Sequence, residues 1–261
     1  MPHPFRRHHH PARPKFRRAR ATLILLGLTW LSYFLLEILP EPATTDSLAL
    51  SARGLRRGFF WEIFTHLFVH ASFWHLLFNS ILLYFSGRAL ERMVGVRRFL
   101  IVFFVGGLFG GAAEYLRDVA TTGNSLIMGN SAAIAAVILA IATLRPRSEA
   151  VLLLFFVIPI RLRVAIFGGV IMLFSLVMAL VNPTDSFGHL GHFAGALSGL
   201  LLGFLMRVSR QQEAVSRQQR MHDQRIAPIT RPSIAKKGRT IPVRKAWETP
   251  TESPEPDHQD R

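Results

Sequence analysis

The chain has 261 residues, half of them hydrophobic, with 31 Lys and Arg against 16 Asp and Glu and a formal net charge of +15. It contains no cysteine, which excludes disulfides, thiolate catalysis and cysteine-ligated metals. Mean hydropathy is positive at +0.29 although two long polar tails dilute it, so the middle of the chain is far more apolar than the mean and points to a membrane.

Residues 1–20 form a basic tail carrying Arg6, Arg7, Arg13, Lys15, Arg17, Arg18 and Arg20, and its His8, His9, His10 tract reads as solvated rather than metal-binding. The first apolar segment, about 21–39, is followed by Pro40 and Glu41 without a small-residue cleavage signature, so it reads as a retained anchor and not a signal peptide. Windows of roughly 20 residues then place further spans near 72–90, 98–115, 129–144, 163–181 and 187–206. The reading is an all-α polytopic membrane protein of six transmembrane helices, with a long first outer loop. The run VLLLFFVIPI at 151–160 is too short for a seventh span and is followed closely by Arg161 and Arg163; it reads as an interfacial connector. From about 208 onward Gln, Arg, Lys, Pro and Glu dominate, which predicts a disordered basic tail. The domain layout is therefore 1–20 tail, 21–207 membrane domain and 208–261 tail.

Basic residues orient this layout. One face carries both tails, the loop with Arg88, Arg92, Arg97 and Arg98, and the loop with Arg145, Arg147, Arg161 and Arg163. The other has only Arg53, Arg56, Arg57 and Arg117. The positive-inside rule puts both termini in the cytoplasm, in a plasma or bacterial inner membrane. The positive charge sits in tails and cytoplasmic loops with no nucleic-acid recognition module, so anionic lipid headgroups are its expected partner and nucleic acid is not.

Polar groups at membrane depth are costly and mark function. GNSA at 129–132 puts Ser131 near the start of the fourth span, and HFAG at 192–195 puts His192 near the start of the sixth. His75 and Asn79, four residues apart and so on one helix face, begin the second span. All three spans run inward, so the four residues share a depth one or two turns below the outer surface. A serine hydroxyl needs a neighbouring base to become a nucleophile, and a neutral imidazole serves. Ser131 is then the nucleophile and His192 the base. The Ser131 backbone N–H at a helix start, with the side chains of His75 and Asn79, supplies oxyanion donors. Gly129 allows a tight turn before the serine.

Other assignments compete. His189 stands one turn before His192 as an alternative base, Asp185 is a candidate third triad member, and Asn130 either donates to the oxyanion or caps its helix. His66 and His70 are spaced as metal ligands, but HLFVH lacks the glutamate of the zinc-binding helix motif, and a structural hydrogen-bonding role is favoured. No metal or cofactor is expected. Gly191, Gly195, Gly199 and Gly203 recur every four residues along the sixth span, opposite Ala132, Ala135, Ala136 and Ala140 of the fourth. Such small faces let helix backbones approach closely; Gly195 would bring His192 to Ser131, while Gly199 and Gly203 only pack.

These motifs together resemble the rhomboid intramembrane serine proteases. FTHLFVHASFWHLLFN supplies His66, His70, His75 and Asn79 in the family's H-x3-H-x4-H-x3-N pattern. GRALERMVG at 87–95, GNSA and HFAGALSG resemble its G…ER…G, G-x-S-x and H-x2-G-x3-G stretches, and the likeness covers about 20–207. The resemblance implies a Ser131–His192 dyad, His75 and Asn79 in the oxyanion hole, and cleavage of transmembrane substrates near the outer surface. It also implies a first loop, about 40–71, lying partly in the outer leaflet, and a fifth helix with a following cap loop that controls substrate entry. Three positions depart from the pattern: Glu62 stands where an arginine commonly follows tryptophan, Ala132 where glycine is usual, and Ala135 where some members carry an aromatic against the catalytic histidine. Two functions follow, an active endopeptidase on single-span membrane proteins or a silent relative that binds transmembrane helices uncut. A transporter or channel lacks support, since no two-half repeat is present and Glu37 and Glu114 lie near span ends.

Overall fold

The computed structural model describes residues 19–38, 43–121, 123–154, 158–182 and 188–226. The expectations for 1–18, for Asp185 and for 227–261 lie outside these residues. The chain divides into two units at Ser216. The first holds the helical bundle, and the second begins with the exposed end of the last helix.

Helix α1 (Arg20–Ile38) turns Leu23, Ile24, Leu28, Leu31, Phe34 and Leu35 outward and buries Ala21, Thr22, Leu25 and Thr29. Its first turn, like that of any helix, has backbone N–H groups with no partner within the helix. The buried carboxylate of Glu91 supplies the acceptors, taking Ala21 N (3.1 Å), Thr22 N (2.9 Å) and Thr22 Oγ1 (2.7 Å). A negative group also suits the positive end of the helix dipole. The glutamate of the GRALERMVG stretch is thus a cap on a helix seventy residues away.

Three short helices follow: α2 (Ala43–Asp46), α3 (Ala52–Arg56) and α4 (Glu62–Thr65). Their cross-ties are polar. Trp61 Nε1 donates to Ser47 O (2.7 Å), Thr65 Oγ1 to Leu48 O (2.7 Å), and Ser51 donates to Glu62 through both its N–H (3.0 Å) and its hydroxyl (3.3 Å). The Ser51 hydroxyl in turn caps α3 by accepting Gly54 N (2.9 Å). Glu62 is fully buried, and burial pushes its carboxyl above the ordinary range while the Ser51 bonds pull it down by less. A raised carboxyl means that the folded state holds a proton the unfolded state has lost. Stability therefore falls as pH rises from the ordinary carboxylate range through the elevated value. The expected result is a melting temperature in mild detergent that declines over that window in wild type and is flatter in Glu62→Gln. Glu62→Ala, which strands the Ser51 donors, is expected to cost about 1–3 kcal/mol. Equal pH dependence in wild type and Glu62→Gln would show that Glu62 is ionised throughout.

Helix α5 (Phe73–Leu82) starts at Ser72, whose hydroxyl accepts His75 N (3.2 Å). It passes through a π turn, Leu83–Gly87, into α6 (Arg88–Val94). Gly87 lies against α1, where an added Cβ would sit 2.9 Å from Thr22 Cγ2. Gly95 then turns the chain at φ +87°, a value L side chains avoid, into α7 (Val96–Thr121).

The core forms around α8 (Ser131–Leu144), whose residues 132–142 are all buried. Fourteen residues rise about 21 Å, but this helix is enclosed by its neighbours. Against it α7 presents Gly106, Gly107 and Gly110; a Cβ on Gly106 would overlap Ala136, and one on Gly110 would overlap the Ala132 methyl. Helix α10 (His189–Ile226), which also touches α7, sets Gly195 on the backbone of Ala132, Gly199 on Ala136 and Gly203 on Ala140. Each four-residue step on one helix meets a four-residue step on the other.

Helix α9 (Val164–Val181) completes the bundle, with Leu173, Phe174, Leu180 and Val181 exposed. Among the described residues four helices, α1, α7, α9 and α10, are long and apolar enough to cross a membrane, and α8 is a shorter apolar helix.

One expectation needs correcting. The described residues of the connector belong to two antiparallel strands, β1 (Glu149–Leu154) and β2 (Ile158–Arg163), in register from Glu149↔Arg163 to Leu154↔Ile158. The fold is mostly helical rather than all-α. Pro159 interrupts any helix here, and Val151, Ile158 and Ile160 are β-branched residues that favour strands. Residues 208–226 of the polar segment lie in α10, which remains helical through Ile226. Its Arg, Gln, Glu, Ala and Met residues are helix formers, and neither Gly nor Pro occurs between Gly203 and Ile226. Arg210 Nη2 donates to Met93 O (2.7 Å), and Arg98 approaches Glu213 at 3.9 Å.

Candidate active site

The N-terminal ends of α5, α8 and α10 border one cavity of about 730 Å³, lined by Ser131, His192, His75, Asn79, Gly129 and Glu114 among others. The loop into α8 is fastened from both sides. Leu50 and Ile127 exchange backbone hydrogen bonds of 2.9 Å, and Gly129 N donates to His66 O (2.8 Å). Gly129 has φ +100° and packs so tightly that a Cβ would lie 2.8 Å from His75 Cε1 and 2.9 Å from His75 Nε2. Conformation and space both require glycine there.

Ser131 is the first residue of α8, and its Oγ lies 2.6 Å from His192 Nε2. This is a short, well-formed bond between residues 61 positions apart. The neighbouring histidine, His189, instead lies edge-on to the His192 ring at 6.3 Å and edge-on to Phe174 at 5.8 Å. The Ala132 methyl points at Gly110 of α7, so the missing glycine in GNSA is matched by a glycine on the facing helix.

On the other wall, Asn79 Nδ2 and His70 Nε2 are 3.1 Å apart, and the His70 and His75 rings approach at 4.9 Å. His70 is buried, and desolvation, aided by the neighbouring His75, pushes its imidazole down to about 4, so it is neutral at physiological pH and accepts from the Asn79 amide. That bond fixes the Asn79 side chain beside the cavity. His66 turns Nδ1 to Glu62 O (2.9 Å), and its far nitrogen lies against Gly111. Asn130 occupies the N-cap position of α8, but its side chain makes no capping bond.

The sequence reading missed the buried carboxylate of Glu114, which accepts Gly191 N (3.0 Å) at the start of α10 and pairs with Arg117. It also missed the four glycines of α7. The GG-x-x-GG spacing at 106–111 was a legible signal for the second; an isolated glutamate gave none for the first.

Exposed apolar helices define an integral, multi-pass membrane protein, and within its cavity the Ser131 hydroxyl and the His192 imidazole are in hydrogen-bond contact. A sequence-family model for the Rhomboid domain matches residues 57–209, more than half the chain, and the chain belongs to the rhomboid family. It is 33% identical over 99 residues to the rhomboid protease GluP of Bacillus subtilis, covering 36% of this chain and 20% of the relative. It is 31% identical over 159 residues to Rhomboid-related protein 1 of Caenorhabditis elegans, covering 58% and 41%. It is 30% identical over 155 residues to RHOMBOID-like protein 1 of Arabidopsis thaliana, covering 58% and 36%. The matched stretches span less than half the length of each of these relatives.

Proposed function

We propose that this protein is an intramembrane serine endopeptidase that cleaves transmembrane segments of single-span membrane proteins. The observation that carries the reading is the 2.6 Å contact between Ser131 Oγ and His192 Nε2 in a cavity that also holds His75 and Asn79. His192 takes the Ser131 proton as Oγ attacks the scissile carbonyl carbon, and returns it to the leaving amine as the C–N bond breaks. Water, deprotonated in turn by His192, hydrolyses the acyl-enzyme and regenerates Ser131. The oxyanion of each tetrahedral intermediate is met by the Ser131 N–H, the Asn79 amide and the His75 ring. The Gly129–His75 packing holds the donors beside the nucleophile loop.

The reading includes six spans, counting α5 to α6 and α8, with both termini cytoplasmic and the cavity opening toward the outer surface. Arginines at the α8 end, the hairpin and the α6–α7 turn support that orientation. Reporter fusions at each terminus test it, and an external terminus would overturn it.

Activity is tested by purifying the chain in mild detergent, labelling it with a fluorophosphonate and incubating it with a panel of single-span substrates beside an active relative. Labelling and cutting are expected. If the relative does both and this chain does neither, it is a silent binder of transmembrane helices.

A further inference from the structure

We infer that Glu114 is the positioning residue for His192, holding the first turn of α10 at the height where the imidazole meets Ser131. This rests on the protease reading of the site. Helix α10 starts at His189, so the N–H groups of its first turn have no partner within the helix, and in apolar surroundings little water is available to replace one. The Gly191 N–H, one residue before His192, is taken by Glu114 Oε2 at 3.0 Å. The other carboxylate oxygen pairs with Arg117 Nε, and both side chains are almost wholly buried. The cap is therefore anchored to α7 at two points, through the Glu114 backbone and through Arg117 one turn on.

The seat beneath it is equally close. A Cβ added to Gly110 would lie 2.7 Å from Gly191 O, and one added to Gly191 would lie 2.9 Å from Gly110 O. Backbone meets backbone, so the charged hydrogen bond acts where α10 has no side chain to wedge it away. His192 N donates to Gly188 O (2.9 Å) within the same turn, which ties the base to the capped segment. A displacement of about 1 Å at a reacting pair costs roughly 100-fold in rate. Glu91 at α1 shows the same device where no reacting group is near, so the cap is a structural habit of this fold that at α10 acquires a catalytic consequence.

The test uses the full chain with paired substitutions that strand no charge. Glu114→Met with Arg117→Met removes the acceptor; Glu114→Gln with Arg117→Met keeps one. The Met pair is expected to label with fluorophosphonate about 10- to 100-fold more slowly, to lower kcat with KM unchanged, and to raise amide exchange across residues 188–195. The Gln-containing pair is expected to retain most of the rate and the protection. Equal rates in the two variants, or wild-type rate and protection in the Met pair, would overturn the inference. If wild type itself does not label, the protease reading fails while the exchange comparison still decides the role of Glu114. Should the Met pair not fold, Glu114→Asp, which shortens the reach by one methylene, is carried through the same two measurements.

Discussion

Ser131→Ala is expected to abolish fluorophosphonate labelling and to reduce cleavage of a single-span substrate to background, a loss of roughly 10⁴-fold or more. His192→Ala is expected to lose nearly as much, and the double variant no more than either single one, because nucleophile and base act as one unit. The reason lies in the 2.6 Å contact. A neutral hydroxyl in an apolar site has no other means of shedding its proton, so removing either partner removes the reactive oxygen. Fold stability is a useful control. The Ser131 hydroxyl makes one hydrogen bond, worth about 1 kcal/mol net, so Ser131→Ala is expected to melt within a few degrees of wild type. His189→Ala removes an edge-on neighbour of the base and not the base, and is expected to cost far less than His192→Ala. A Ser131→Ala protein that still cuts at the wild-type rate would end the protease reading, and a His189→Ala variant as dead as His192→Ala would reassign the base.

How far the sequence anticipated this arrangement differs from feature to feature. The apolar helices were legible because burial in lipid demands long uninterrupted runs, and α1, α7, α9 and α10 carry them. Ser131 and His192 were legible because nucleophile and base chemistry is conspicuous in such runs. What did not show were the acidic caps. Glu62, Glu91 and Glu114 each end on a backbone N–H of another element, at Ser51, Ala21 and Thr22, and Gly191. A backbone donor leaves no residue signature, so a lone glutamate near a span end looks like an ordinary surface charge. The hairpin at 149–163 was illegible for a different reason: a short apolar run with one proline fits a connector, a buried strand or a broken helix equally well. Where α10 leaves the bundle, the same polar residues that suggested disorder are also good helix formers, and the intrinsic propensity prevailed.

The second large effect is expected along the glycine face of α10. Gly199→Ala is expected to cost about 2–4 kcal/mol and to lower activity about 100-fold, although position 199 is two turns from His192. A methyl at Gly199 would overlap the backbone of Ala136, and backbone inside an enclosed helix has no rotamer with which to yield. The helices must separate, and because Gly195 rests on the Ala132 backbone one turn nearer the site, separation at 199 opens the gap at 195 and draws the His192 ring from Ser131. Gly203→Ala meets the Thr143 Cβ at 2.9 Å and Ala140 Cα at 3.0 Å, a milder overlap farther from the cavity, and is expected to cost less in both stability and rate. Gly169→Ala on α9 meets nothing within 4 Å and is expected to be neutral or slightly stabilising, as alanine favours helix. Melting temperature and labelling rate measured together give the ordering 199, then 203, then 169. If Gly199→Ala labels at the wild-type rate, close approach of α8 and α10 is not what brings serine and histidine together, and the bond must be held by the cap at Gly191 alone.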